Sequence, residues 1–208
     1  MIKKKIISSA VIRRLPRYYQ FLGELLEHDI TKISSTELSV KMDLTASQIR
    51  QDLNNFGCFG QQGYGYNVAA LRNEIKKIIG LDQNYKMVLV GVGKIGRALL
   101  SYDNFQNYTF AALFDKDKDV IGEEINGLKV TDAENLEDYL NENQIDIVVL
   151  TLPKNETLKV AEKIAKTNTL GIWNFSNCDL HSIKNIKIED VNLTDSLMTL
   201  TYMIKKKS

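Results

Sequence analysis

The stretch Val88–Tyr102, "VLVGVGKIGRALLSY", decides the fold of the larger part of this chain. It predicts an apolar strand, a tight turn and a helix. Gly91, Gly93 and Gly96 have the spacing G-x-G-x-x-G. In this spacing the first glycine permits the turn, the second admits a pyrophosphate close to the backbone, and the third lets the helix pack on its strand. The stretch therefore predicts a Rossmann-type turn with a dinucleotide pyrophosphate at the helix N-terminus.

Further residues extend this predicted site. Asp115 ends the next predicted strand, 22 residues after Gly93. A carboxylate there accepts hydrogen bonds from the adenosine ribose and repels a 2′-phosphate, which favours NAD over NADP, although Lys116 beside it weakens that exclusion. Thr151–Pro153 ends a later strand and is expected to wall the pocket at the same sheet edge. The predicted contacts are Gly91, Val92, Gly93, Lys94, Ile95, Gly96, Asp115, Lys116, Thr151, Leu152 and Pro153.

Strands and helices alternate from Lys86 onward, which predicts a parallel sheet with crossover helices. The apolar runs predict strands at 86–92, 109–115, 145–152 and 171–175. Helical patterns occupy 95–102, 133–143 and 155–167. The second part of the chain is therefore expected to be an α/β domain of the Rossmann type.

The first eighty residues carry a different, helical signal. Ser34 with Glu37 and Thr45 with Gln48 form two capping boxes, so two short helices should start close together, and Gly57 suits the end of the second. Two such helices joined by a tight turn are typical of a helix-turn-helix. The glycine- and aromatic-rich stretch that follows predicts a β-hairpin, the wing of a winged helix.

The second of these helices has one apolar and one polar face. Ile49, Leu53 and Phe56 recur at helical spacing and are expected to face inward. The opposite face carries amide and guanidinium groups, which suit adenine and guanine edges in the major groove, and a wing can reach the phosphate backbone or a minor groove. The candidate DNA contacts are Ser47, Gln48, Arg50, Gln51, Asn54, Gln61, Gln62 and Tyr64.

Amphipathic patterns mark both ends of the chain. Residues 17–28 predict a helix with Pro16 in its first turn, or with Pro16 at a kink if the helix is longer. Residues 191–208 predict a C-terminal helix that ends in a basic tail. Its apolar stripe consists of Leu193, Leu197, Leu200 and Ile204.

Composition narrows the class of protein. Residues 1–80 carry 12 basic and seven acidic side chains, a net +5, whereas residues 81–208 carry 15 and 19, a net −4. The basic surplus permits a nucleic-acid partner for the first part, and an uneven scatter of solvated charges explains it equally well. Only two cysteines, no apolar run of about 20 residues and no leader-like start predict a cytoplasmic protein without membrane or metal.

Catalytic groups are not evident beside the dinucleotide turn. A dehydrogenase needs a proton donor or acceptor near the nicotinamide, and neither His28 nor His181 stands in such a setting. We therefore predict that the dinucleotide is sensed and not consumed, and that the chain is not an enzyme. Two alternatives stay open: an NAD-dependent oxidoreductase with a helical accessory domain, and a nucleotide-binding module that holds another protein.

With both halves in view, the chain resembles the Rex family of redox-sensing transcriptional repressors from end to end. The motifs that carry the resemblance are "RRLPRYYQFL", "ISSTELS", "QIRQDLNNFGCFG", "GYGY", "VLVGVGKIGRALLSY", "FDKDKDVIG" and the pair Asn174–Phe175. The resemblance implies a homodimer that binds palindromic operator DNA, releases it when NADH closes the dimer, and binds it when NAD⁺ competes. It also implies a winged-helix domain over 1–80, a Rossmann NAD(H)-binding domain over 85–190, and a dimerisation helix over 191–208 swapped onto the partner.

The resemblance assigns roles to further residues. Asn174 and Phe175 would belong to the nucleotide site, and Tyr102 would lie near the nicotinamide and the partner subunit. Arg14 would link the DNA-binding domain to the swapped helix, so Arg14, Tyr102, Asn192 and Leu193 would form the switch between domains and subunits. Asn192 stands where some relatives have an acidic partner for Arg14 and Tyr102. Gln61 and Gln62 stand where many relatives carry a cation, which should weaken attraction of the wing to phosphate.

Overall fold

The computed structural model describes residues 7–54, 60–61 and 65–206. The chain divides into two compact units, Met1–Gln83 and Asn84–Ser208. The first unit has a helical core of its own, and the second has a core on each face of a sheet.

The first unit is a winged helix-turn-helix. Its described helices are α1 (Ser9–Glu27), α2 (Ser35–Met42), α3 (Ala46–Asn54) and α4 (Val68–Ile78). Its strands are β1 (Lys32–Ile33), β2 (Gly60–Gln61) and β3 (Gly65–Asn67), in the order β1-β3-β2 with both pairings antiparallel. The predicted pair of short helices and the predicted hairpin are confirmed. Gly57, Phe56 and Cys58 lie outside the described residues.

The first helix is longer than its apolar stripe from residue 17 onward predicts. The helix α1 begins at Ser9, where Ser8 Oγ accepts a hydrogen bond from the Val11 N–H at 3.4 Å. Val11 and Leu15 are buried and continue the stripe toward the N-terminus. Pro16 therefore lies inside the helix, so the predicted place in the first turn is wrong and the alternative of a longer helix is confirmed. Burial of these two extra side chains outweighs the hydrogen bond that proline cannot donate.

The helix starts that the sequence predicts in the helix-turn-helix are present. Ser34 Oγ accepts from the Glu37 N–H at 3.1 Å, and Glu37 Oε2 accepts from the Ser34 N–H at 2.7 Å, which completes a capping box. The bond from the Ser34 backbone holds the pKa of Glu37 below its usual range. At the start of α3, Thr45 Oγ1 accepts from the Gln48 N–H at 3.1 Å. Both short helices thus begin where their side chains satisfy free backbone donors.

A buried carboxylate ties α3 to α1, and the sequence analysis does not identify it. Asp52 is only 3% exposed. Arg14 donates from Nε and Nη2 to its two carboxylate oxygens, each at 2.7 Å, and the Tyr18 hydroxyl donates to Oδ2 at 3.1 Å. Burial raises the pKa of Tyr18 well above its usual value, and the negative charge of Asp52 adds to that shift. A bidentate, charge-assisted pair of this kind fixes the orientation of one helix on another.

The second unit is a seven-stranded sheet with helices on both faces. Its strands are β4 (Tyr85–Val90), β5 (Tyr108–Asp115), β6 (Glu124–Ile125), β7 (Leu128–Asp132), β8 (Ile147–Leu150), β9 (Gly171–Asn174) and β10 (Lys187–Asp190). Its α-helices are α5 (Lys94–Leu100), α6 (Leu136–Glu142), α7 (Lys154–Ile164) and α8 (Leu193–Lys206).

The sheet has a topological switch point at β4. The strand order is β10-β9-β8-β4-β5-β7-β6, and every pairing is parallel except that of β6 with β7. The chain runs outward from β4 to β5 and β7, then returns to β8 on the other side of β4, as in a Rossmann fold. The four predicted strands are confirmed. The strands β6, β7 and β10 were not predicted, because they are short and largely polar and lack an apolar run; β6 and β10 are the edge strands of the sheet.

Two apolar cores cover the sheet, and α8 belongs to neither. One core contains buried side chains of α6 and α7, and the other contains Leu100 of α5. The helix α8 has no buried residue, although it carries the predicted apolar stripe. Across the described parts of the chain, no helix combines the length and apolar character needed to cross a membrane.

Replacement of Asp52 by Asn should lower the free energy of unfolding by about 1–3 kcal/mol, because one acceptor for Arg14 becomes a donor in a buried site. Urea unfolding followed by helical circular dichroism measures this change. Asp43→Asn is the matched control: Asp43 is an exposed acid in left-handed backbone, which asparagine tolerates, and the change should stay within about 0.5 kcal/mol. Equal unfolding midpoints for the two variants would contradict the assignment.

Candidate functional site

The three glycines after β4 are required for different physical reasons. Gly91 has φ +98°, and a Cβ there would lie 2.8 Å from the carbonyl oxygen of Thr151. A Cβ on Gly96 would overlap the carbonyl oxygen of Gly91. A Cβ on Gly93, by contrast, would have nothing within 4 Å. The first and third glycines therefore close the turn, and the second leaves open space at the start of α5.

This open space lies at a free helix N-terminus. Gly93 is the N-cap of α5 and provides no side-chain hydrogen bond to the first turn. Gly93, Lys94 and Ile95 are all exposed, whereas Val92 before them is buried. The first backbone N–H groups of a helix have no partner within it, so this end of α5 can bind an anionic group.

The end of β8 packs directly against the glycine turn. Thr151 donates from Oγ1 to the carbonyl oxygens of Val90 and Gly91, and its backbone N–H donates to Val90 O at 3.0 Å. Thr151 and Leu152 are half-buried, and Pro153 is exposed at the N-cap of α7. The structure thus brings this predicted wall of the pocket against the turn.

Asp115 lies at the same edge and is anchored to the turn. Its Oδ2 accepts from the Val92 N–H at 2.5 Å, and its Oδ1 accepts from the Asp117 N–H at 3.0 Å. Each carboxylate oxygen has a second lone pair. The carboxylate is therefore held in one orientation and keeps acceptor capacity for hydroxyl groups.

Lys116 next to it has a partner that the sequence analysis did not identify. Lys116 Nζ lies 2.6 Å from Oε1 of Glu156, in the first turn of α7. Both residues line a cavity of about 580 Å³ together with Asp115 and Leu152. An acid in the first turn after Pro153 is visible in the sequence as a helix-start signal, but its pairing with a residue 40 positions away is not.

The Asn174 side chain joins the end of β9 to the loop that follows it. It is buried, and its Nδ2 donates to Cys178 O at 3.0 Å and to Asp190 Oδ1 at 2.7 Å. Its Oδ1 accepts from the N–H and the hydroxyl of Ser176 at 3.0 and 2.6 Å. These contacts use both amide hydrogens and the amide oxygen, so Asn174 fixes the loop after β9. Its expected place in the nucleotide site stays a prediction.

The two expected nicotinamide neighbours, Tyr102 and Phe175, belong to one chain of aromatic rings. The ring centroids of Tyr102 and Phe105 are 5.0 Å apart, those of Phe105 and Trp173 are 5.8 Å apart, and those of Trp173 and Phe175 are 4.6 Å apart. Tyr102 is 54% exposed. Phe105 and Trp173, which the sequence analysis did not name, also line an apolar cavity of about 500 Å³.

The exposed face of α3 has the predicted polar character. Ser47, Arg50, Gln51 and Asn54 are exposed, and Gln48 is half-buried. Ile49 and Leu53 on the opposite face are buried, as predicted. Arg50 donates from Nη1 to Ser35 Oγ at 3.0 Å, which holds its guanidinium beside the start of α2. Gln61 belongs to β2, whereas Gln62 and Tyr64 lie outside the described residues.

Two of the residues expected to form the switch, Arg14 and Asn192, have hydrogen-bonded partners within their own units. Arg14 pairs with Asp52, as described above. Asn192 Oδ1 accepts from the backbone N–H groups of Thr194 and Asp195 at 2.9 and 3.2 Å, so it caps the start of α8. Leu193 is exposed. Among the residues that the structure covers, no three His, Cys, Asp or Glu side chains come together as metal ligands.

Comparison with known protein families matches both units. Residues 6–54 match the family described as "Putative DNA-binding protein N-terminus". Residues 82–178 match the family described as "CoA binding domain". The two matches correspond to the helix-turn-helix region and to most of the Rossmann-type sheet.

Full-length relatives are more specific. The chain is 52% identical to the redox-sensing transcriptional repressor Rex of Clostridioides difficile (strain 630), with 99% of each chain covered. A crystal structure of RSP with β-NAD⁺ and operator DNA has a TM-score of 0.91 at 45% identity, covering 98% of this chain and 94% of that one. The structure of RSP with β-NADH has a TM-score of 0.89 at 42% identity, covering 98% and 96%. With this identity over its whole length, the chain belongs to the Rex family of redox-sensing transcriptional repressors.

Proposed function

We propose that this protein is a DNA-binding transcriptional repressor that senses the balance of NADH and NAD⁺. The observation that carries the proposal is its similarity, over 98% of the chain, to a repressor crystallised with β-NAD⁺ and operator DNA. The same chain joins an exposed polar helix in a winged helix-turn-helix to a Rossmann turn with an open anion-binding end. The nucleotide is sensed and undergoes no reaction.

The nucleotide lies along the carboxyl edge of the sheet in this proposal. The exposed backbone of Gly93, Lys94 and Ile95 binds the pyrophosphate, because a side chain is absent where the phosphates approach. Asp115 binds the ribose hydroxyls with its remaining acceptor capacity and disfavours a 2′-phosphate. The cavity beside Leu152 receives the adenosine.

The protein distinguishes NADH from NAD⁺ at the nicotinamide end of the nucleotide. NAD⁺ and NADH differ in the charge and pucker of this ring, so the residues that distinguish them must contact it. Tyr102 and Phe175 are the proposed contacts, and the rings of Phe105 and Trp173 connect them. To raise the fraction of protein released from DNA from 1% to 99%, NADH must bind the released state more tightly than the DNA-bound state by about 5.5 kcal/mol.

DNA is read by α3 in this proposal. Gln48, Arg50, Gln51 and Asn54 contact base edges, Ser47 contacts the backbone, and the hairpin of β2 and β3 reaches the adjacent DNA with Gln61, Gln62 and Tyr64. A homodimer presents two copies of α3 about 34 Å apart, which matches a palindromic operator. The protein shares the cytoplasm with the operator and with the nucleotide pool.

The C-terminal helix supports the dimer. The helix α8 exposes an apolar stripe along its length, and apolar surface of this extent marks a protein contact. We expect the partner subunit to cover this stripe by exchange of the helix, with Arg14, Tyr102, Asn192 and Leu193 at the switch. An NAD-dependent oxidoreductase with a helical accessory domain is not favoured, since relatives that are 52% and 48% identical over nearly the whole chain are named repressors.

Retention of palindromic DNA on a native gel tests the proposal directly. At fixed salt we expect retention with NAD⁺, loss of retention with NADH, and no oxidation of NADH over a panel of small substrates. Fixed salt is needed because phosphate contacts make affinity steeply salt-dependent. NADH turnover without retention of DNA would overturn the proposal and favour the oxidoreductase.

Arg50→Ala should weaken operator binding by about 1–3 kcal/mol if this guanidinium contacts a base. Arg17→Ala is the matched control, because Arg17 is an exposed cation of the same unit that lies on α1 and not on α3. Fluorescence anisotropy with labelled operator and with a scrambled duplex measures both. A loss equal to that of Arg17→Ala on both duplexes would mean that Arg50 contributes charge alone.

Gly93→Ala and Gly96→Ala should separate ligand binding from packing. Gly93→Ala adds a methyl to open space, so stability should change by less than about 1 kcal/mol, while NADH affinity should fall about tenfold. Gly96→Ala should destabilise the fold by about 2 kcal/mol, because its Cβ overlaps Gly91. Calorimetric NADH titration and thermal unfolding measure both variants. Unchanged NADH affinity in Gly93→Ala would remove this turn from the nucleotide site.

A further inference from the structure

The ion pair of Lys116 and Glu156 has features that the proposed function leaves unexplained. The Lys116 side chain is 66% exposed and that of Glu156 is 27% exposed, yet their charged atoms are 2.6 Å apart. Lys116 directly follows Asp115, the residue that ends β5 at the nucleotide edge. A lysine in this position would normally offer a cation beside the ribose.

The pair spans the part of the sheet where a nucleotide lies. The strands β5 and β8 flank β4 on its two sides, and α7 follows β8 after Pro153. Lys116 reaches from the end of β5 and Glu156 reaches from the first turn of α7. Both line the same cavity of about 580 Å³ as Asp115 and Leu152. The ion pair therefore lies in the proposed adenosine subsite.

Glu156 is the better fixed of the two partners. It lies in the first turn of an 11-residue helix, whose N-terminal end favours a carboxylate. Its backbone N–H donates to Pro153 O at 3.0 Å, and most of its side chain is covered. Lys116 has a long flexible stem and a mostly exposed ammonium group. Glu156 therefore determines the position of the Lys116 ammonium group.

A 2′-phosphate distinguishes NADPH from NADH and carries a charge of about −1.5 to −2. With Glu156 present, Asp115, Lys116 and Glu156 together carry one net negative charge and no unpaired cation. We propose that Glu156 is a specificity-determining residue: by pairing with Lys116, it withholds that cation from a 2′-phosphate, so that the site selects NADH over NADPH. This inference rests on the nucleotide-sensing function proposed above.

Other lysines of the cavity supply a comparison. Lys118, Lys159 and Lys163 also line it, and Lys163 Nζ lies 3.9 Å from Oε2 of Glu137. Glu137 is in the first turn of α6, so it resembles Glu156 in charge, helix position and cavity. It differs in having no contact with the lysine beside Asp115. Glu137→Gln is therefore a matched control for the loss of one negative charge.

The experiment measures the dissociation constants of NADH and NADPH for the full-length protein by calorimetry at low and high ionic strength. In Glu156→Gln the affinity for NADPH should rise about three- to fivefold relative to that for NADH, the range expected from releasing an exposed ion pair. High salt should reduce the gain. Two variants serve as controls, Glu137→Gln and the double variant Lys116→Ala/Glu156→Gln. In both, the ratio of NADPH affinity to NADH affinity should stay within about twofold of the wild type, because neither variant frees the Lys116 ammonium group.

The ratio of the two affinities is the decisive measurement, because NADH and NADPH share every group except the 2′-phosphate. Equal gains for both nucleotides in Glu156→Gln would overturn the inference, since they would indicate an ion pair that obstructs the adenosine subsite without regard to phosphate. A gain that persists in the double variant, or that Glu137→Gln reproduces, would also overturn it. Wild-type protein that binds neither nucleotide would refute the proposed function itself, which separates the two failures.

Discussion

The hydrogen bond from the Val92 N–H to the Asp115 carboxylate joins the two strand ends on which the proposed nucleotide site depends. It holds the acid that ends β5 against the glycine turn that follows β4. The turn itself tolerates no side chain at Gly91 or Gly96, where backbone oxygens lie in the way. Backbone and carboxylate thus form one rigid frame, and open space is left only at Gly93, where the frame meets solvent.

Two ion pairs join residues that are distant in the chain. They explain the roles of four charged side chains that the sequence alone does not assign. Arg14 and Asp52 are 38 positions apart and fix α3 on α1. Lys116 and Glu156 are 40 positions apart and meet beside the nucleotide edge. The first pair is largely shielded from water and fixes one helix on another, whereas the second includes a lysine whose side chain is 66% exposed. A solvent-exposed ion pair contributes little to stability. The pair of Lys116 and Glu156 therefore acts mainly by setting the charge at the proposed ligand site.

Each of the two units supplies a well-packed element for the proposed sensing function. The polar face of α3 is presented by buried Ile49 and Leu53, and the chain of aromatic rings from Tyr102 to Phe175 is anchored by Trp173. The apolar stripe of α8, in contrast, is not covered by any part of the chain that the structure describes.

The sequence by itself determined the two fold classes, the N-terminal caps of α2 and α3, the glycine turn and the inward face of α3, because these depend on local periodicity and on residues a few positions apart. It did not determine the start of α1, where burial of Val11 and Leu15 extends the helix beyond the expected start near Pro16, nor the short polar strands β6, β7 and β10. Only the tertiary structure decided the partners of Arg14 and Lys116 and the filled hydrogen bonds of Asn174. These contacts depend on which distant side chains the packed strands and helices bring within hydrogen-bonding distance. Local sequence patterns do not predict such contacts.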